Sequence, residues 1–334
     1  MNKMIETPRG TFYLRPYRDE DMEQVIALWN RAFNQTMDPR VWRWKFHDCP
    51  FGCQTMLCFT EDHVPIAMYA GIPFCANWEG KSIRMTHLID NMSHPAYRHL
   101  TNGRKGLFVQ TAEHFFDTYG PGPEPGFFYG FPGRKHHRLG AMLLHYSELQ
   151  GGAAYLEASF SKIGISFLRS ASKNVERLRH ASDELDELWN KVARYYPCSA
   201  VRDARFMRWR FFDRPDVGYH VYVHRNGQGL DACVVVRFDT DAATIVDILI
   251  LPDESALCDI VRAVGSQCRK KRIRTLRTWL PAGHYIADIL QQQGFYVRNE
   301  PLGIVPAVRT FIRGLDVDYA AANIYYTMAD SDLL

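Results

Sequence analysis

From the amino end, apolar and polar positions alternate and then recur at helical spacing in a series of segments that occurs twice. Residues 55–74 (TMLCFTEDHVPIAMYAGIPF) and 219–238 (YHVYVHRNGQGLDACVVVRF) each give two β-rich runs joined by a polar turn, with Asn226-Gly227 the stronger hairpin signal. A further strand follows at 82–92 (SIRMTHLIDNM) and 243–251 (ATIVDILIL), each carrying an aspartate, Asp90 or Asp247, ahead of a proline, Pro95 or Pro252. Apolar residues then recur at helical spacing over 105–119 and 255–271. Strands at 127–132 and 275–281, a short helix, and a last apolar strand near 141–147 and 302–312 complete each series. This order predicts an α+β unit of roughly 150 residues, twice.

The residues themselves repeat as well. ALWNRAF (27–33) returns as ELWNKVA (187–193), and WRWKFHDCP (42–50) returns as MRWRFFDRP (207–215). The expected organisation is an N-terminal half over 1–150, a linker over 151–182 with a helix in the weak periodic pattern of 158–178, and a C-terminal half over 183–334. The paired tryptophan segments point first to packing.

Composition changes this picture little: 334 residues, 46% hydrophobic and 23% charged, describe a globular chain. The 40 basic and 37 acidic residues give a net charge of +3, too little for a field that would gather nucleic acid or a membrane, so any basic site must be local. The N-terminus lacks the apolar core of a signal sequence and no run is long enough to span a bilayer, so a cytoplasmic protein without nucleic-acid or membrane partners is expected. Eight scattered cysteines without CxxC read as reduced thiols, and the spacing of Cys49, Cys53 and Cys58 suits no zinc site, so no metal is expected.

The two series differ after their prolines. The first takes AYRHLTNGRK to reach its helix where the second takes only DE. Glycines before a helix start let main-chain amides and the positive end of the helix dipole approach an anion, with Arg98, Arg104 and Lys105 adding charge. A solvated helix cap is the plain alternative. Walker and Rossmann patterns are both absent, which leaves a phosphate or pyrophosphate held some other way.

With the element order around it, this stretch resembles the GNAT superfamily of acyl-coenzyme A dependent N-acyltransferases, whose loop signature is matched by Pro95, Tyr97, Arg98, Lys105, Gly106 and Leu107. Departures are the insertion HLTNG, Gly103 at the signature's first position and Phe108 at its last. After the next strand, Gly133 and Gly140 stand where the family commonly has asparagine and tyrosine. The resemblance covers nearly the whole chain as two GNAT-like α/β/α halves, each a mixed, mostly antiparallel sheet flanked by helices.

It implies acetyl-coenzyme A or another acyl-coenzyme A as co-substrate, no metal, and a small-molecule amine as acceptor. Asp90, Asn91, Met92 and Ser93 would meet the pantetheine arm and thioester. Arg98, Arg104, Lys105, Gly106, Leu107 and Phe108 would meet the diphosphate. Trp42 and Trp44 would be candidates for the acceptor pocket. For proton transfer the candidates are Asp90 at the strand end and His136 or His137 after the next strand, with Tyr129 or Tyr146 as possible donors. Each has a structural alternative, Asp90 above all, because Asp247 recurs in the half without the loop. Two competing readings are a non-catalytic GNAT-like binding protein and a FemAB-like aminoacyl transferase. The C-terminal Asp330 and Asp332 are expected either to fold over the cleft or to lie in solvent.

Overall fold

The computed structural model describes residues 3–98, 103–120, 126–149, 151–160, 172–310 and 317–332. These form two compact units. The first holds residues 1–75, 83–148 and 305–317; the second holds 76–82, 149–304 and 318–334.

In the first unit, β1 (Lys3–Thr7) and β2 (Gly10–Pro16) lead to α1 (Met22–Phe33) and α2 (Pro39–Phe46). Asn34 ends α1 in the left-handed conformation at φ +54°. Asp38 starts α2, its side chain accepting the Arg40 amide with Pro39 in the first turn. There follow β3 (Gln54–Phe59), β4 (Pro65–Trp78), β5 (Lys81–Ser93), α3 (Leu107–Tyr119), β6 (Gly126–Gly130), α4 (Arg134–Leu143) and β7 (Ser147–Glu148). β3 is buried along its whole length, as is most of β4, which explains why their apolar runs are continuous rather than alternating. Phe115 and Phe116 of α3 pack on Phe128 of β6 and Tyr69 of β4 to make the core.

In the second unit, β8 (Ala153–Ser159), β9 (Val175–Leu178), α5 (Glu184–Val192), β10 (Cys198–Ala200) and α6 (Ala204–Met207) precede the hairpin β11 (Tyr219–Asn226) and β12 (Gly229–Phe238). β13 (Ala242–Ile250), α7 (Glu254–Lys270), β14 (Thr275–Pro281), α8 (Tyr285–Gln292) and β15 (Tyr296–Arg298) complete its sheet. Its strand order is β15-β8-β14-β13-β12-β11-β9, antiparallel except for β13 beside β14. β10 pairs with Ala76–Trp78 at the end of β4. The chain closes with β16 (Ala307–Thr310) and α9 (Val317–Asn323).

The structure is the mixed α+β fold expected, two mixed sheets flanked by helices. It also holds an arrangement that linear reading missed. The first sheet runs β1-β2-β3-β4-β5-β6-β16-β7, so a strand from beyond residue 300 lies antiparallel between β6 and β7. Reciprocally, β8, which follows the first series, lies between β15 and β14 in the second sheet. The first sheet therefore takes in the closing strand of the second series, and the second sheet takes in a strand that lies between the two series. The helix expected over 158–178 is not what the described part of that stretch shows. Ala153–Ser159 and Val175–Leu178 are strands, and 161–171 lie outside the described residues.

Candidate functional site

β5 is the strand on which a site is built. It pairs in parallel with β6 only from Arg84 to His87, opposite Gly126–Tyr129. Gly126 permits this start, since a Cβ there would lie 2.3 Å from the Arg84 carbonyl oxygen. β6 ends at Gly130 while β5 runs on to Ser93. At Asp90 the main chain turns to φ +47°, a left-handed conformation that costs an L-residue about 1–2 kcal/mol. The next residue repairs the ladder to β4 with its side chain: Asn91 Oδ1 accepts the Ala70 amide at 2.9 Å. Just past the strand, the His94 amide donates to the Ile66 carbonyl of β4 at 2.7 Å.

Asn91, Met92 and Ser93 line a cleft of about 540 Å³. Opposite them stand Leu107 and Phe108 of α3 and His136, Leu139 and Leu143 of α4, and at one end stand Arg98, Gly103 and Gly106. Gly103 has φ +59°, and the Gly106 amide closes a tight turn on its carbonyl at 3.0 Å. The Gln110 amide bonds the Gly106 carbonyl, so helix geometry leaves the amides of Leu107, Phe108 and Val109 without an intrahelical acceptor. All three residues border the cleft. Arg104 and Lys105 are exposed beside them, and residues 99–102 of the loop lie outside the described residues. Phe108 does not plug the corner. It packs against Tyr69 at 5.7 Å and edge-on to His136 at 5.8 Å, and the cleft lies beside it.

The structure places the other expected residues unevenly. Arg98 borders the cleft, but its guanidinium bonds the Ser93 carbonyl at 3.1–3.2 Å and the Ala32 carbonyl at 3.3 Å, tying the end of β5 to α1. Asp90 is 8% exposed and is not a lining residue. Its Oδ1 accepts from Trp29 Nε1 at 2.9 Å and its Oδ2 from Lys45 Nζ at 2.8 Å. His136 is in the cleft wall, and burial, reinforced by His137, lowers its pKa, so its imidazole is neutral at pH 7. His137 is half-buried with Nε2 enclosed. Tyr129 is in the core, stacked on His87 at 5.0 Å, away from the cleft lining. Trp42 and Trp44 are buried too, Trp42 stacking on Phe46 at 4.2 Å. Trp29 and Lys45 are the participants that sequence reasoning missed, because nothing linear links either to Asp90.

Two further details bear on chemistry. Burial pushes the Cys53 and Cys58 thiols up to about 12, which leaves almost no thiolate at neutral pH. A Cβ on Gly140 of α4 would meet the Tyr146 ring at 2.2–2.8 Å, and the Tyr146 hydroxyl bonds that of Tyr69. The ring thus fills the space that a side chain at 140 would need.

In the second unit the corresponding strand end is closed. β13 pairs with β14 only over Ala242–Thr244. Aligning Asp90 with Asp247 makes Ile248–Ile250 the counterparts of Asn91–Ser93. There the Ile248 carbonyl accepts from the Tyr325 hydroxyl, while the Ile250 amide and carbonyl bond the Tyr196 hydroxyl at 3.0 and 3.1 Å. Asp247 accepts from Arg202 Nε at 3.1 Å and from the Thr327 hydroxyl at 2.8 Å. Asp330, expected either over the cleft or in solvent, is instead 2% exposed and paired with Arg202.

Comparison with known proteins bears on the family and the fold. Residues 13–123 match the family described as Acetyltransferase (GNAT) domain. None of the curated proteins matches the chain in sequence. Among solved structures, a probable N-acyltransferase from Enterococcus faecalis V583 is similar with TM-score 0.67 at 14% identity, over 90% of this chain and 72% of that one. A GCN5-related N-acetyltransferase from Anabaena variabilis gives TM-score 0.67 at 14% identity, over 89% and 72%. The Saccharomyces cerevisiae N-myristoyltransferase with bound myristoyl-CoA gives 0.59 at 9%, over 92% and 84%. At these identities the likeness shows the fold alone. Residues 13–123, about a third of the chain, thus match a GNAT acetyltransferase domain, and the fold is one shared with N-acyltransferases.

Proposed function

We propose that the protein moves an acyl group, acetyl or longer, from acyl-coenzyme A to a small-molecule amine by direct attack. The observation that carries this is the cleft itself. One wall is the β5 main chain at 91–93, released from β6, and one end is formed by the amides that open α3. Amides at a helix start favour a diphosphate, and a strand freed from its neighbour offers amide and carbonyl groups to the pantetheine arm. Bound there, acyl-coenzyme A supplies a thioester. Among the described residues no cysteine lines the cleft, which favours the direct route.

His136 is the proton carrier of this reading. A neutral imidazole in the cleft wall can take a proton from the attacking amine and return one to the departing thiolate. Replacing it with alanine is expected to lower kcat by about 10²–10⁴-fold with coenzyme A affinity kept.

The decisive experiment is calorimetry with acetyl-coenzyme A. Binding by the intact protein at one site per chain, abolished by Lys105→Glu with Gly106→Asp, is the expected result. No binding, or binding that the double variant leaves unchanged, removes the proposal. The glycine at 140, with the Tyr146 ring packed on it, favours a second reading, a GNAT-like binder without turnover. Background thiol release across a broad amine panel, with binding intact, would establish that one instead.

A further inference from the structure

Asp90 combines three features that do not suit a base. Its main chain is left-handed, a state that persists in a non-glycine residue only where the surroundings over-determine it, and that aspartate tolerates better than most. Both carboxylate oxygens already accept from fixed donors on two different helices, Trp29 on α1 and Lys45 on α2. The Lys45 side chain is 13% exposed, so the ion pair is largely shielded from water.

From these we infer that Trp29, Lys45 and Asp90 are positioning residues: their partly buried cluster holds β5 in the kink at Asp90 that presents Asn91–Ser93 to the cleft, and so sets the affinity for acyl-coenzyme A. The inference rests on the acyltransferase reading above for its ligand, not for its geometry. The residues on either side show what the kink does. The Asn91 side chain accepts the Ala70 amide of β4, and the His94 amide, just past β5, donates to the Ile66 carbonyl of the same strand. Between those two points lie the β5 residues that line the cleft, Asn91, Met92 and Ser93.

The second unit supports the assignment. Asp247 occupies the matching place in β13, where the register against β12 shifts between Val235 and Val236. It too is anchored, by Arg202 and Thr327, although Tyr196 and Tyr325 close that strand end. A carboxylate tied to a cation at both places, where Asn91–Ser93 line a cleft but Ile248 and Ile250 are bonded by tyrosine hydroxyls, follows the bend of the strand and not proton transfer.

Three variants test the cluster. Lys45→Met removes the ammonium and keeps the stem, Asp90→Asn keeps a residue tolerant of the left-handed state, and Trp29→Phe keeps a ring against Phe33 while removing the N–H. For each, the readouts are thermal midpoint, coenzyme A affinity by calorimetry, amide hydrogen exchange at Met92 and Ser93, and the pH profile of thiol release from acetyl-coenzyme A. In the folded variants, exchange at Met92 and Ser93 is expected to speed up about tenfold or more. Coenzyme A should bind about tenfold more weakly, and the acidic limb of the profile should stay in place. A fall in kcat of about 10²-fold or more with loss of that limb and unchanged affinity would make Asp90 the base and overturn the inference. Unchanged exchange in any folded variant overturns it as well. Should the wild type fail to bind coenzyme A, the acyltransferase reading falls, while the exchange data still decide the cluster. If the charged-pair variants do not fold, Trp29→Phe carries the test alone.

Discussion

Gly140 shows how closely one residue can be specified. An added Cβ would lie 2.2 Å from a ring carbon of Tyr146, so Gly140→Ala forces the tyrosine or helix α4 to shift. A loss of about 1–3 kcal/mol is expected in denaturant unfolding, as for other overpacked sites. Tyr146→Leu should relieve most of it in the double variant, because the offending ring is then gone. The sequence shows Gly140 only as a departure from a family pattern. Its reason is a ring six positions along the chain that no periodicity brings to the helix. Asp90 is the same kind of case: its place on the strand could be read from the pattern, whereas its partners come from helices far away in sequence. Phe108 is the converse, since a bulky residue at a helix start looks obstructive until its packing between Tyr69 and His136 is seen.

Secondary elements were more legible than contacts because they depend on local alternation. β4, β5, β11, β12 and β13 fall where apolar runs and turn residues put them, although the turn between β11 and β12 is Gly227-Gln228, with Asn226 still paired to Gly229 and the positive φ at Gly229. Periodicity failed around 158–178, where part of an apparent helix is strand, because short apolar runs fit both periods. At α8 an element-scale prediction follows. His284 is its N-cap, accepting the Ile286 amide, and burial pushes its pKa down to about 4. The unfolded chain, with an ordinary histidine pKa near 6.5, takes up the proton first. This contribution to stability is therefore complete above about pH 6.5 and is lost progressively as pH falls toward 4. Urea titrations across that range should show the loss, and His284→Asn, which keeps a capping side chain without the titration, should flatten it.

The arrangement of strands sets the behaviour of the whole chain. A fragment of residues 1–150 contains β6 and β7 but not β16, which pairs with both. Such a fragment is expected to aggregate or to give a collapsed, poorly dispersed amide spectrum, and adding a peptide spanning 303–312 should improve it. A well-dispersed monomeric fragment would show that the first sheet closes without its distant strand. The reason this was not legible is that β16 is an ordinary apolar run, equally suited to either sheet. The same exchange bears on synthesis. Roughly 180 residues separate β6 from β16, so a ribosome moving at about 5–20 residues per second leaves that edge bare for on the order of 10–35 s. Nascent chains of this protein should therefore depend on ribosome-associated chaperones holding the exposed β6 until translation is nearly finished.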